Sequence, residues 1–237
     1  MTQTIKIGLW NVDHPQFNQR SEKKRTRFSH VVKYLDSQDF DLLVLTESNS
    51  ALALPGYDAR FSDESPYINK TRCNDSPNQY HQVSIFSKLS SHQIKIVESI
   101  NGLLCKIKAH GHSFLLYGNV ITIKDRWKKD SDKKYKDRLN EQLQQFKALL
   151  GNKFIIAGDF NLKKGWTQKK RAYNDVESFV SKNHLSWPTA DVTSTVQHVI
   201  HSNEIKTTID IDDSVQHDQP GRDMLSDHPF LTIKAAL

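Results

Sequence analysis

Scarcities narrow the class of this chain before any motif does. Its 237 residues include only two cysteines. Cys105 sits in the apolar run Leu103-Leu104-Cys105-Lys106-Ile107, and Cys73 in the polar stretch Thr71-Arg72-Cys73-Asn74. Two cysteines so placed build neither a disulfide framework nor a zinc site, and they read as reduced thiols. No stretch approaches the roughly 20 apolar residues that a membrane helix needs, so no membrane partner is expected. The start, Met1-Thr2-Gln3-Thr4, leads into a strand-like segment without the basic-then-apolar pattern of a secretory leader, and a cytoplasmic location is expected. Internal repeats and low-complexity linkers are also missing. The chain therefore reads as one domain over residues 1–237, monomeric by default.

What is present describes a folded, basic protein. Hydrophobic residues make up 37% and charged residues 25%, a globular balance in a chain long enough for a real core. The net charge of +6 and pI near 9.1 favour a polyanionic partner. Basic residues gather in three places. Arg20, Lys23, Lys24, Arg25 and Arg27 form one group. Lys124, Arg126, Lys128, Lys129, Lys133, Lys134, Lys136 and Arg138 form another, with Trp127 and Tyr135 among them and Asp125, Asp130, Asp132 and Asp137 diluting it. The third is Lys163, Lys164, Lys169, Lys170 and Arg171 around Trp166. A charge run is often just a solvated face, and the first two groups stay open between that and binding. The third follows directly on a candidate catalytic pair and is read as a phosphate-backbone contact surface.

Periodicity gives the elements. Helices are predicted at 20–37, 135–150 and 172–184, from apolar stripes such as Phe28, Val31, Val32 and Leu35. Strands are predicted at 4–10, 41–46, 82–87, 92–97, 102–109, 113–121, 153–158, 195–200, 206–211 and 230–235, and a turn-rich loop at 66–80. Many strands with a few interspersed helices indicate a mixed α/β fold.

Four strand tips carry chemistry. Phe154-Ile155-Ile156-Ala157 runs into Gly158-Asp159-Phe160-Asn161, which delivers an acid and an amide at a sheet edge. The first strand leaves through Trp10-Asn11-Val12-Asp13, and a second ends in Thr46-Glu47-Ser48. Near the end stands Ser226-Asp227-His228-Pro229. Residues two apart on an extended segment share a face, so Asn11 with Asp13 and Asp159 with Asn161 are expected to point together. These hard oxygen ligands, without soft ones, suit a cation such as Mg²⁺.

In this order the motifs resemble the endonuclease/exonuclease/phosphatase superfamily, over nearly the whole chain. The resemblance implies a four-layer αββα sandwich: two mixed β-sheets face to face, helices outside, and the site at one edge. It implies Mg²⁺, with Mn²⁺ able to substitute, held by Glu47 with Asp13, Asn11 and Asp227. It further implies that Asp159 positions or deprotonates the attacking water, that Asn161 donates to the phosphate, and that His228 contacts the scissile phosphate and serves in acid–base catalysis. Asp227 contributes to the metal shell or orients other groups.

Two departures stand out. The family places an Asp before a late strand to orient the catalytic His, and Gln197 occupies that place here. Gln can accept from imidazole but supplies no charge, which would leave His228 mainly a neutral donor, unless Asp210 or Asp212 fills the role. Where many relatives carry a phosphate-facing His or Tyr, Val120 stands, with Tyr117 or Asn119 as substitutes. The leading expectation is a metal-dependent endonuclease acting on DNA by in-line water attack. A phosphatase of phosphoinositides or other small phosphoesters is the second reading, and a catalytically weakened nucleic-acid-binding module the third. Abasic-site specificity is not expected, because Trp187 lies too far upstream of the late strand to form the aromatic wall of such relatives.

Overall fold

The computed structural model of the chain describes residues 3–15, 22–65, 80–94, 100–122, 135–219 and 223–237, with the backbone alone for 22–25 and 94. Among the described residues, eleven strands form two sheets. They are β1 Thr4–Asn11, β2 Leu42–Asn49, β3 Asp58–Phe61, β4 Tyr80–Ser87, β5 Ser90–Ile94, β6 Gly102–Ala109, β7 His112–Val120, β8 Phe154–Asp159, β9 Gln197–His201, β10 Lys206–Asp212 and β11 Phe230–Ala236. One sheet runs β10-β11-β1-β2-β4-β3 and the other β5-β6-β7-β8-β9. The helices are α1 Glu22–Ser37, α2 Tyr135–Lys147 and α3 Lys170–Lys182.

The layers follow from strand alternation. Ile5, Ile7 and Leu9 of β1 meet Leu116 of β7 and Ile155 and Ala157 of β8 between the sheets. The opposite face of β1 puts Trp10 under Phe28, Val31 and Leu35 of α1. The outer face of the second sheet puts Tyr117 and Ile156 under Leu139 and Phe146 of α2 and Val176 of α3. Central strands buried on both faces read as continuous apolar runs, as the sequence shows. The sheets approach closely at Gly118, where an added Cβ would lie 2.5 Å from Val83. Between the sheets, burial pushes the Cys105 thiol up to about 12, which makes it inert.

Each sheet has one parallel pair at its centre, β1 with β2 and β7 with β8. A helix lies between the partners in each case, α1 and then α2. In open α/β sheets, the carboxyl ends of such strands are where ligands bind. Asn11, Glu47 and Asp159 stand at those ends.

The observed elements adjust the predictions at their margins. α2 stops at Lys147, three residues short of expectation, and α3 begins at Lys170, two residues before it. β3 was not predicted: Asp58-Ala59-Arg60-Phe61 is a half-exposed edge strand without a clean alternation. Residues 66–79 of the expected loop, residues 95–97 of an expected strand, Cys73, Arg20 and the basic segment 124–134 lie outside the described residues, as do the side chains of Lys23, Lys24 and Arg25. Among the described residues no helix is long and apolar enough to cross a membrane.

Candidate active site

The site is built on backbone that turns sharply out of its strands. Asp13, His14, Glu47 and Asn161 have φ of 48°, 45°, 52° and 50°, the left-handed region. Such a conformation costs a non-glycine residue about 1–3 kcal/mol and persists where surrounding bonds hold it. Here the same device appears twice. The Asp13 N–H donates to Asn11 Oδ1 at 2.9 Å, and the Asn161 N–H to Asp159 Oδ1 at 2.8 Å. Both are Asx turns, a side-chain oxygen binding the amide two residues on. The expected extended segments with paired faces are therefore corrected: Asn11–Asp13 and Asp159–Asn161 are turns, joined by hydrogen bonds.

Asn11 is the hub. Its Nδ2 donates to Asp159 Oδ2 at 2.8 Å and to Glu47 Oε1 at 3.2 Å, tying the two sheets together at the site. The other Glu47 oxygen lies 3.2 Å from Nε2 of buried His14, whose ring meets Tyr80 edge-on. Burial is the main reason the Asp159 carboxyl is raised to about 6; nearby Glu47 adds to it, while His228, the Asn11 amide and the Asn161 N–H oppose it. Gly158, just before it, has no room for a side chain: a Cβ would lie 2.1 Å from the Asn119 carbonyl oxygen.

The segment Ser226–Pro229 is pinned by its own backbone. Ser226 Oγ donates to the Asn11 carbonyl at 2.6 Å and accepts from the His228 N–H at 3.1 Å. Trp10 Nε1 donates to the His228 carbonyl at 3.0 Å, and Gln216 Nε2 to that of Asp227 at 2.7 Å. The His228 ring nitrogen Nε2 lies 3.4 Å from Asp227 Oδ1.

Gln197 takes a role other than the expected one. Its Oε1 accepts from the Asn11 N–H at 2.6 Å, and its Nε2 donates to the Pro229 carbonyl at 2.7 Å. It orients His228 through the backbone, not through the imidazole. The side chain must therefore be both donor and acceptor, which a carboxylate cannot be. The alternatives are engaged elsewhere: Tyr34 donates to Asp212 at 2.7 Å, and Lys234 lies 3.7 Å from Asp210.

Tyr117 and Asn119 are corrected as phosphate contacts. Both lie on the helix-facing side of β7 and are buried, and the Tyr117 hydroxyl donates to Gln142 of α2 at 2.9 Å. Val120 is in the core between the sheets. Trp187 packs on Tyr173 and on His198, forming part of the scaffold.

The basic cluster after Asn161 divides by role. Lys164 is exposed and pairs with Asp191 at 2.5 Å. Lys163 lies 5.1 Å from the centre of the Trp166 ring. Lys170 and Arg171 are exposed on the first turn of α3. Lys169 is half-buried between the rings of Tyr135 and Trp166, 4.3 Å and 4.9 Å away, and donates to the Asn161 carbonyl.

Arg27 is a further residue that sequence reasoning left in a surface cluster. Its guanidinium donates to the carbonyls of Leu225 and Val12, both at 2.8 Å, and lies 3.6 Å from Asp13. His14 was also missed; its only signal was its place directly after Asp13.

Among the described residues no three His, Cys, Asp or Glu side chains form a preformed metal cage. The donor set nevertheless fits a hard cation. Partial burial raises the Asp13 carboxyl, Arg27 pulls it back, and the charges of Glu47 and Asp227 raise it further. Three carboxylates thus crowd one mouth, and Mg²⁺ characteristically uses only one or two of them, with waters and substrate oxygens completing the shell.

Two mixed sheets that bring Asn11, Glu47, Asp159 and Asn161 at the carboxyl ends of their central strands together with a His on the segment entering β11 define the build of a phosphoester hydrolase. The sequence model of the Endonuclease/Exonuclease/phosphatase family matches residues 8–228, and the chain belongs to that family. Its members are hydrolases of phosphodiesters or phosphate esters and generally depend on a divalent metal. No curated protein matches the chain by sequence. Solved structures do match by fold. The endonuclease domain of TRAS1, a telomere-specific non-LTR retrotransposon, superposes with a TM-score of 0.69 at 12% identity over 99% of each chain. D. rerio TDP2 complexed with a single-strand DNA product gives 0.64 at 13%, again over 99% of each. The Bacteroides thetaiotaomicron mannosyl-6-phosphatase gives 0.62 at 14%, over 98% of this chain and all 100% of that one.

Proposed function

We propose that this protein is a metal-dependent nuclease that cleaves DNA by in-line attack of water. The observation that carries the hydrolytic reading is the Glu47–Asn11–Asp159 bridge, which joins a cation ligand to a base through one amide. Glu47 with Asp13, Asp227 and Asn11 would hold Mg²⁺ or Mn²⁺, which when bound would offset negative charge on the phosphate and the leaving oxygen. Asp159, raised to about 6 by its burial, is a base matched to neutral pH and takes the proton of the attacking water. Asn161 spends one amide hydrogen on the Ile121 carbonyl, and its other is available to a phosphate oxygen. His228, held from behind by Trp10, contacts the phosphate as a hydrogen-bond donor.

The preference for DNA rests on the net charge of +6 and on Lys163, Lys170, Arg171 and Trp166, which lie just beyond Asn161. The likeness to a mannosyl-6-phosphatase favours a second reading, hydrolysis of a small phosphate ester. The intact bridge from Glu47 to Asp159 speaks against a pure binding module.

Supercoiled-plasmid nicking with Mg²⁺ or Mn²⁺ tests this. Wild type is expected to nick, EDTA to stop it, and Asp159→Ala to lower kcat by about 10²-fold or more. Inert wild type on plasmid, single strands and RNA, with turnover of a sugar phosphate, would move the assignment to the second reading.

A further inference from the structure

The turn that carries Asp159 and Asn161 is held from outside the motif. Four successive carbonyls are engaged: Asp159 by the Ile121 N–H at 2.8 Å, Phe160 by the Tyr135 hydroxyl at 2.6 Å, Asn161 by Lys169, and Leu162 by His198 Nε2 at 2.7 Å. The bond from Tyr135 matters most for chemistry. The peptide whose oxygen it binds is the same peptide whose N–H reaches Asp159 Oδ1 at 2.8 Å. Hydrogen bonds at the two ends of one peptide polarise each other, so a donor on the oxygen strengthens the N–H as a donor. The Lys169 ammonium sits over the same Tyr135 ring and binds the next carbonyl.

From this geometry we propose that Tyr135 and Lys169 are positioning residues for hydrolysis. Together they fix the left-handed Asn161 turn and the N–H that aligns the Asp159 carboxylate. Burial and the nearby Asp159 charge push the Tyr135 hydroxyl well above its ordinary range, so it remains a donor at any working pH. Burial pulls Lys169 down from its usual value while Asp159 pulls it up, which places its ammonium within reach of that carboxylate's field. Tyr135 stands at the first residue of α2 and Lys169 just before α3, so both helices of the outer layer contribute to the turn.

The proposal rests on the reading that Asp159 and Asn161 act on a phosphate ester, and its test separates the two. Tyr135→Phe, Lys169→Met and Lys169→Arg would be compared with wild type on plasmid and on a small aryl phosphodiester. Losing one bond to the turn is expected to lower kcat by about tenfold with KM nearly unchanged. Lys169→Arg, which keeps the charge and donors, should recover most of the loss. In parallel, the Asn161 amide resonance and its hydrogen exchange, read without metal or substrate, should shift and quicken in Tyr135→Phe and Lys169→Met. Unchanged kcat in an active enzyme, or a rise in KM alone, would overturn the positioning role. So would an unmoved Asn161 amide, whether or not wild type cleaves anything. Wild type inert on every ester while the Asn161 amide responds would sink the functional reading and with it the catalytic half of this one. Should Lys169→Met fail to fold, Tyr135→Phe, which removes one hydroxyl, decides alone.

Discussion

Gln197 shows how much one amide can arrange. It receives the Asn11 N–H with its oxygen and gives a hydrogen to the Pro229 carbonyl with its nitrogen, so it joins the hub of the site to the segment that bears His228. Gln197→Glu keeps the shape and the acceptor but leaves two oxygens facing each other in a fully buried place. It also sets a new negative charge among Asp159 and Glu47. A loss on the order of 3 kcal/mol is expected, read as a lower urea midpoint with an unchanged slope. If the variant matches wild type, the donor to Pro229 is not needed. The position of Gln197 was legible in the sequence, because the strand around it is apolar and its place between motifs is fixed. Its task was not legible, since its partners lie 186 and 32 residues away. Asp13 and Asn161 failed for a related reason: a period of two assumes extended backbone, and both residues are in left-handed turns.

At the scale of elements, β9 supports β8 with a histidine that the reaction does not use. Trp187 Nε1 donates to His198 Nδ1 at 3.2 Å, so the ring is the tautomer whose Nε2–H donates to the Leu162 carbonyl. Burial lowers His198 to about 4 against an ordinary 6.5. The folded state therefore binds fewer protons than the unfolded chain between those values. The stability His198 contributes is complete above about 6.5 and is lost as pH falls toward 4, up to about 3 kcal/mol. The stability gap between wild type and His198→Gln should therefore narrow as urea unfolding is repeated from pH 7 down to pH 4.5. This comparison cancels the opposing contribution of Asp159, which both proteins share. A gap that stays constant with pH would show that His198 is not buried neutral. Element type was largely legible here, because buried strands are long apolar runs. The orientation of a strand apolar on both faces was not, and this is why Tyr117 and Asn119 were assigned to the site although Tyr117 packs under α2 and α3 and Asn119 is buried beside Gly158.

At the scale of the molecule, charge and topology act together. The lysines beyond Asn161 and the carboxylates at the mouth lie on the same end of the sandwich, so a phosphate backbone would be drawn along the first toward the second. Cleavage of plasmid should fall at least tenfold between 50 and 200 mM salt, whereas turnover of a small ester should change little. Equal salt sensitivity for both would remove the backbone contacts from the account. Lys163→Ala should weaken plasmid cleavage more than Lys164→Ala, because Lys164 already faces Asp191. The overall architecture was legible through the order of the four motifs, three of which end strands β1, β2 and β8 while the fourth leads into β11. One feature of that order has a temporal meaning. The Ser226 hydroxyl binds the Asn11 carbonyl across 215 positions, and Arg27 clasps the carbonyls of Val12 and Leu225. On the proposed reading, the cation ligands Asn11, Asp13 and Glu47 come from the first fifth of the sequence, and Asp227 and His228 from near its other end. On that reading a chain still being synthesised would have no complete site until Asp227 and His228 have emerged and β11 has docked beside β1, so hydrolysis would begin only once the fold has closed.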